Sequence, residues 1–381
     1  MIPFNRPHAT GREFGYIQEA IDGGHLSGNG PFHRRCGAWL EQRIGCRRAL
    51  LTASGTSALE MAMLLTGIGP GDEVVMPSFT FVTSASAVAL RGATPVFADI
   101  RSDTLNLDER AVAEAVTGRT RAIMPVHYAG VGCAMEQLEA LAERYGLFIV
   151  EDAAHGIMSS YQGRPLGSFG QLGCLSFHET KNVTCGEGGA LLVNDEALAD
   201  AAEIVQEKGT DRSRFFRGEV DRYTWVELGS SFVASEINSA FLWAQLEEAD
   251  RITADRMRIW ERYHERFAAL EQAGLLRRPV VPPEARHNAH MYHVLLPDCP
   301  RRDALISDLA ARGVQAVFHY VPLHSSPAGR RYGRADGPLP VTDDVSGRLV
   351  RLPLWADMRE REVEFVAVAL EEALRTRVAT A

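Results

Sequence analysis

The chain has 381 residues, 46% hydrophobic and 23% charged, and its 40 basic and 49 acidic side chains leave a formal charge of −9. That length suits two domains, or one large domain with a smaller one attached, and the composition is ordinary for a globular protein. No concentrated basic tract is present, so a nucleic-acid role lacks its electrostatic footprint.

No membrane-spanning run is visible, and MIPFNRPHATGREFG lacks the apolar core of a signal peptide. A cytoplasmic location without nucleic-acid or membrane partners is expected. Cys36, Cys46, Cys133, Cys174, Cys185 and Cys299 are spread without a CxxC pair, which argues against a disulfide framework or a zinc knot. The histidines lack HxxxH spacing, so no metal site is expected.

Residues 1–40 form an arm with a short helix at about Gly11–Ile21 and a Gly-rich loop, SGNGPFHRR. Trp39, Leu40 and Ile44 suggest a second helix that packs on the main body. A strong alternation then begins. Strands are predicted at Ala49–Thr52, Glu73–Met76, Pro95–Ile100, Ala122–Val126 and Leu147–Val150. Helices fall between them at Thr56–Leu65, Phe81–Leu90, 108–117 and Met135–Tyr145. Apolar β-branched strands alternating with helices indicate an α/β fold, a parallel or mixed sheet covered on both faces. Residues 172–194 add two strands, one expected to be antiparallel, and 195–208 a charged helix. The segment 208–232 is irregular, aromatic and arginine-rich, which in a compact protein points to function or an interface, or to a solvated basic loop. Ser235–Leu270 reads as a long bent helical stretch containing the main domain boundary. Beyond it the pattern is α+β, with strands at His290–Leu296, Ala316–Tyr320 and Leu349–Leu352 and helices at Arg301–Ala311 and Glu360–Ala373.

Two stretches carry chemistry. In LGCLSFHETKNVTCGEGGALLVN, an apolar run ends at His178, Glu179 and Lys181 before a Gly-rich link to a second apolar run. A lysine leaving a buried sheet loses solvent and gains nucleophilicity, although a plain surface-loop lysine fits the same pattern. In YGLFIVEDAAHG, Glu151, Asp152 and His155 follow a buried strand, where open α/β sheets bind ligands. A pyridoxal 5'-phosphate site needs a lysine for the Schiff base and an acid against the pyridine nitrogen. Lys181 and Asp152 supply that pair; a helix cap is the competing role for Asp152, and packing for His155. Gly55, Thr56 and Ser57 lie between a strand and a helix, a phosphate cradle or simply a cap, and Ser176 can serve the same phosphate. Phe79 or Phe81 is placed to stack on a planar ring or to pack in the core. His127, Tyr128, Phe318, His319, Tyr320 and His324 are candidates for holding the substrate, and Arg212–Arg217 for gripping phosphates in pairs.

In this order SGTSALE, EDAAH and SFHETKN resemble the DegT/DnrJ/EryC1/StrS aminotransferases, fold-type-I pyridoxal-phosphate enzymes acting on nucleotide-linked keto sugars. GDEVVMPSFTFV, MPVHYAG, KGTDRSRFFRGEVDRYTW, GSSFVASE and FHYVPLHSSPAG extend the resemblance over essentially the whole chain. It implies a large cofactor domain with the arm, residues 1–245, and a small C-terminal α+β domain, 246–381. Lys181 would carry the cofactor and Asp152 would face its pyridine nitrogen. His155 would lie near the ring and its phenolic oxygen, Phe81 against the ring, and Thr56, Ser57 and Ser176 on the phosphate. L-glutamate would be the amino donor and a dTDP-linked 4-keto-6-deoxy sugar the acceptor, in a homodimer with sites at the interface. Many members carry Gly-x-Asn-x-Arg before the second part of the chain. Here Gly229, Ser231 and Val233 stand instead, so Ser231 would replace the asparagine that contacts the neighbouring subunit's cofactor.

Overall fold

The computed structural model describes residues 1–298 and 300–379, without the side chains of 300, 301 and 376–379. Seven strands form the main sheet: β1 (Arg48–Thr52), β2 (Glu73–Pro77), β3 (Thr94–Ala98), β4 (Thr120–Ile123), β5 (Phe148–Asp152), β6 (Leu172–Ser176) and β7 (Gly189–Val193). Their order is β1-β7-β6-β5-β4-β2-β3. Only β7 runs against its neighbours, pairing antiparallel with both β1 and β6, while the β6-β5-β4-β2-β3 pairs are parallel. This is the mixed, mostly parallel sheet of fold-type-I pyridoxal-phosphate enzymes.

Strand period places consecutive apolar side chains in different cores. Leu50, Val74 and Leu191 join a cluster with Leu59 and Met63 of helix Gly55–Leu65. Leu51 and Leu192 pack on the other face with Leu242 and Leu246 of helix Glu236–Glu247. Val75, Ile123 and Ile149 meet Leu138 of helix Met135–Tyr145. Burial on both faces explains why these strands read as continuous apolar runs.

The smaller C-terminal domain packs the antiparallel pair β8 (Tyr292–Leu295) and β9 (Leu349–Leu352) against helices Ala249–Arg266, Pro300–Ala311 and Glu360–Ala379. Its core holds Tyr263, Phe267, Tyr292, Leu309 and Leu370. The long helical stretch breaks at Glu248, whose backbone leaves the helical range.

Two expectations need correction. Ala316–Tyr320 is not a strand: Val317 alone bridges to Arg351, and the next carbonyl, of Phe318, accepts from the Arg351 guanidinium instead of a strand amide. The fifth strand reaches Asp152, so Glu151 and Asp152 are its last residues rather than its sequel. The arm is tied down at both ends, since Ile2 pairs with Val314 and helices Glu13–Asp22 and Pro31–Ile44 pack on helix Glu236–Glu247. The five cysteines among the described residues are free and buried; Cys299 lies outside them. No described helix is long and apolar enough to cross a membrane, and no group of three or more described His, Cys, Asp or Glu residues is placed to hold a metal ion.

Candidate active site

The C-terminal ends of β1, β2, β5 and β6 meet at one edge of the sheet, and the chain leaving each lines a cavity of about 610 Å³. Lys181 comes from the β6–β7 connection. Beyond the strands the ladder continues, with Phe177 N donating to Gly188 O (2.8 Å) and Cys185 N to Phe177 O (2.9 Å), so Lys181 sits on a braced turn. Burial lowers its ammonium pKa to about 8; Asp152 opposes the shift and the charge of Arg351 adds to it.

Asp152 faces the same cavity from the end of β5. Its Oδ2 accepts from Ser84 Oγ (2.7 Å) and its Oδ1 from the Ala154 amide (3.1 Å). The capping bond therefore coexists with a carboxylate aimed at ligand space. His155 lines the wall, stacked on His290 with centroids 4.0 Å apart and planes 21° apart. Burial, then the charges of Lys181 and Arg351, hold its pKa well below the usual imidazole range, so the ring is neutral.

At the start of helix Gly55–Leu65, Ser54 Oγ accepts from the Ser57 amide (3.0 Å), while the amides of Gly55 and Thr56 find no acceptor among the described residues. These amides, at the positive end of an 11-residue helix, make an anion cradle beside Ser176. The glycine is needed there: a Cβ on Gly55 would lie 2.9 Å from Ser176 Cβ. Phe81 is 56% exposed at the cavity mouth, whereas Phe79 is buried against Tyr128 with centroids 5.2 Å apart. Of the two aromatics, only Phe81 is available to a ligand.

Not every expected residue arrives. The Ser57 hydroxyl is engaged with Ser54 Oγ at 3.0 Å and does not line the cavity. His127 is fully buried and bonded to Glu151 at 2.8 Å, which removes it from substrate. Tyr128 is also buried, behind the wall, its hydroxyl 3.0 Å from His319 Nδ1. Phe318, His319 and Tyr320 do line the cavity, but His324 turns away to Ser78 Oγ at 2.7 Å. Arg212 lies over the Phe216 ring, Arg217 is engaged by Glu203 and Glu219, and Ser231 pairs through its backbone with Glu207. None of these three lines the cavity.

Sequence reasoning missed Ser54, Ser84, His290 and Arg351. For Arg351 the available signal was a charge inside the apolar strand LVRL.

The arrangement fits pyridoxal phosphate. It offers a lysine of lowered pKa, a carboxylate with lone pairs to spare, a cradle of free amides and a flat aromatic at the mouth. The buried Nδ1 of His155 also lacks a partner among the described residues, which leaves it available to a ligand. Fold and site together define a fold-type-I pyridoxal-phosphate-dependent enzyme.

Comparison with known proteins agrees. The model of the DegT/DnrJ/EryC1/StrS aminotransferase family matches residues 7–371, and the chain belongs to that family. Among solved structures it is similar to the aminotransferase TlmJ from Streptoalloteichus hindustanus, with 30% identity, 99% of this chain and 100% of that one covered, and a TM-score of 0.91. DesV from S. venezuelae is 31% identical over 98% of both chains, with a TM-score of 0.88. Spr1654 from Streptococcus pneumoniae, solved in a PLP-form, is 25% identical over 98% of this chain and 99% of that one, with a TM-score of 0.89. The protein is a pyridoxal-phosphate-dependent aminotransferase.

Proposed function

We propose that the enzyme moves the amino group of L-glutamate to C4 of dTDP-4-dehydro-6-deoxy-D-glucose, giving dTDP-4-amino-4,6-dideoxy-D-galactose and 2-oxoglutarate. The observation that carries the chemistry is Lys181 and Asp152 facing one cavity beside an anion cradle. The choice of sugar rests on the likeness of KGTDRSRFFRGEVDRYTW, MPVHYAG and FHYVPLHSSPAG to the subgroup with that activity.

Bound pyridoxal phosphate supplies an electrophilic carbonyl for the amine and a ring that takes up the electron pair left by a departing proton. The chain does the rest. Asp152, oriented by Ser84, keeps a proton on the pyridine nitrogen, and the Gly55 and Thr56 amides with Ser176 hold the phosphate. Lys181, with an amine that is partly neutral near physiological pH, takes the α-proton of the donor. In the second half-reaction it delivers a proton to the sugar carbon and so sets the configuration there. The neutral His155 presents its ring without competing for that proton.

The segment 208–232 exposes Phe216, Tyr223, Trp225 and Leu228, and we place it at a two-fold homodimer interface where Arg212, Arg217 and Ser231 serve the neighbouring cavity. The division between the two domains is taken at 245/246, next to the break at Glu248. Mixing Lys181→Ala subunits with subunits inactivated in this segment should restore activity in hybrid dimers; a fully active monomer on light scattering would contradict the assembly. The product is tested by proton NMR of the isolated sugar nucleotide. A small H3–H4 coupling with H4 equatorial supports the galacto product, and a large diaxial coupling to both neighbours means the gluco epimer. An amine on C3 would overturn the regiochemistry.

A further inference from the structure

A second cavity, of about 800 Å³, opens between the two domains and shares no lining residue with the catalytic one. One face of helix Ala249–Arg266 forms a wall, with Asp250, Thr253, Met257 and Glu261 in helical register. None of the lining residues belongs to segment 208–232. Two buried polar groups of the lining are left open. Ser159 is 3% exposed, and its Oγ has no partner among the described residues. His287 is buried against the Trp260 ring, with centroids 4.4 Å apart, and its Nδ1 accepts from the Ala289 amide (3.1 Å). Burial holds its pKa down to about 4, so the ring is neutral. A neutral imidazole that accepts at Nδ1 carries its proton at Nε2, and that N–H meets no acceptor among the described residues. Arg286 is exposed beside them without an ion-pair partner among the described residues, whereas Arg43 is engaged by Asp250 and Arg258 by Asp255.

A hydroxyl, an imidazole N–H and a guanidinium, all without partners at one cavity, suit an oxyanion. We propose that this cavity binds a small phosphate- or carboxylate-bearing molecule through Ser159, His287 and Arg286, and that the bound molecule alters the surroundings of Lys181. Ile44, Met158 and Met257 offer an apolar wall to its organic body. The route to the catalytic cavity is short and continuous. Ser160–Tyr161 pairs antiparallel with Ala285–Arg286. Next along the two segments, Asn288 Nδ2 donates to the carbonyls of His155 and Ile157 (both 2.7 Å), and its Oδ1 accepts from the His290 amide (3.0 Å). His155 and His290, stacked in the catalytic wall, thus lie four and three residues from Ser159 and His287. His155 is in turn near enough to Lys181 to feel its charge. An oxyanion that ties Ser159 to His287 therefore acts on both segments that carry the stack, whichever sugar is aminated.

The test uses the cofactor-loaded enzyme, in which pyridoxal phosphate already occupies the cradle. Inorganic phosphate, phenyl phosphate and benzoate are titrated by calorimetry. Phenyl phosphate or benzoate should bind saturably and more tightly than inorganic phosphate, which has no apolar body, and the tighter of the two names the oxyanion. Arg286→Gln should weaken binding about tenfold and Ser159→Ala about threefold. Glu261→Gln, which removes a lining carboxylate that has no ion pair among the described residues, should tighten it. The effect on Lys181 is read as the rate at which hydroxylamine strips the cofactor from it, followed by absorbance. That reaction needs no natural substrate, so failure of the sugar assignment leaves the readout intact. Full occupancy should change this rate at least about twofold, and Arg286→Gln should move the response to about tenfold higher probe concentration. The variants without probe should react as wild type does. No saturable binding, binding that neither Arg286→Gln nor Ser159→Ala weakens, weaker binding in Glu261→Gln, or an unchanged rate at full occupancy would each overturn the proposal.

Discussion

At the end of β5 the two faces of the sheet hold polar clusters of different kinds. On one face Glu151, fully buried, accepts from the amides of Gly167 (2.8 Å), Phe169 (2.6 Å) and Gly170 (2.8 Å) and from His127 (2.8 Å). On the other face Asp152 accepts one hydroxyl and one amide and opens on the cavity. The residues are adjacent, and strand period alone sends them apart. A saturated buried polar group holds the fold together, and one with spare capacity beside a cavity is available for chemistry.

The comparison can be broken by swapping effects between the clusters. The largest loss is expected from Lys181→Ala: no measurable transamination, with the cofactor retained noncovalently through the cradle and visible after desalting. Asp152→Asn should come next, losing roughly a thousandfold or more in kcat while unfolding close to wild type in denaturant. Glu151→Gln should do the reverse, costing about 3 kcal/mol of stability because buried donors lose a charged partner, with kcat largely preserved in the folded fraction. If the Asp152 variant unfolds early and the Glu151 variant loses turnover, the distinction between the clusters is wrong.

How much of this could be read in the chain follows from the same physics. The strands of the main sheet and the Lys181 and Asp152 stretches were legible because buried parallel strands leave dense apolar runs that stop abruptly. His127 and Tyr128 misled because their segment ends at the correct edge, and only the Glu151 contact shows that one ring is already engaged. His290 and Phe4 lay beyond reach, since 109 and 177 positions separate them from Lys181 and no local period links them. The short helices Pro327–Tyr332 and Pro340–Arg348 went unread because their proline-led starts resemble turns.

Smaller effects sharpen the account. In the cofactor-free enzyme, recapture of pyridoxal phosphate should accelerate about tenfold per pH unit below the Lys181 pKa of about 8 and level off above it, because only the neutral amine attacks. Arg351→Gln removes a charge that lowers this pKa, so the profile should move to higher pH; stopped-flow absorbance reads both. Smallest is Ser84→Ala, which frees Asp152 Oδ2 from its 2.7 Å bond and should lower kcat by about tenfold.

The central claim is that Lys181 carries the cofactor, and the sequence makes its test unusually clean. Lys181 and Lys208 are the only two lysines among 381 residues. Lys208 is exposed beside Glu207, with Nζ 3.8 Å from its carboxylate, and does not line the cavity. Borohydride reduction of the holoenzyme followed by peptide mapping should place the pyridoxyl label on the peptide containing Lys181. A label on Lys208, or no covalent label at all, would contradict the account.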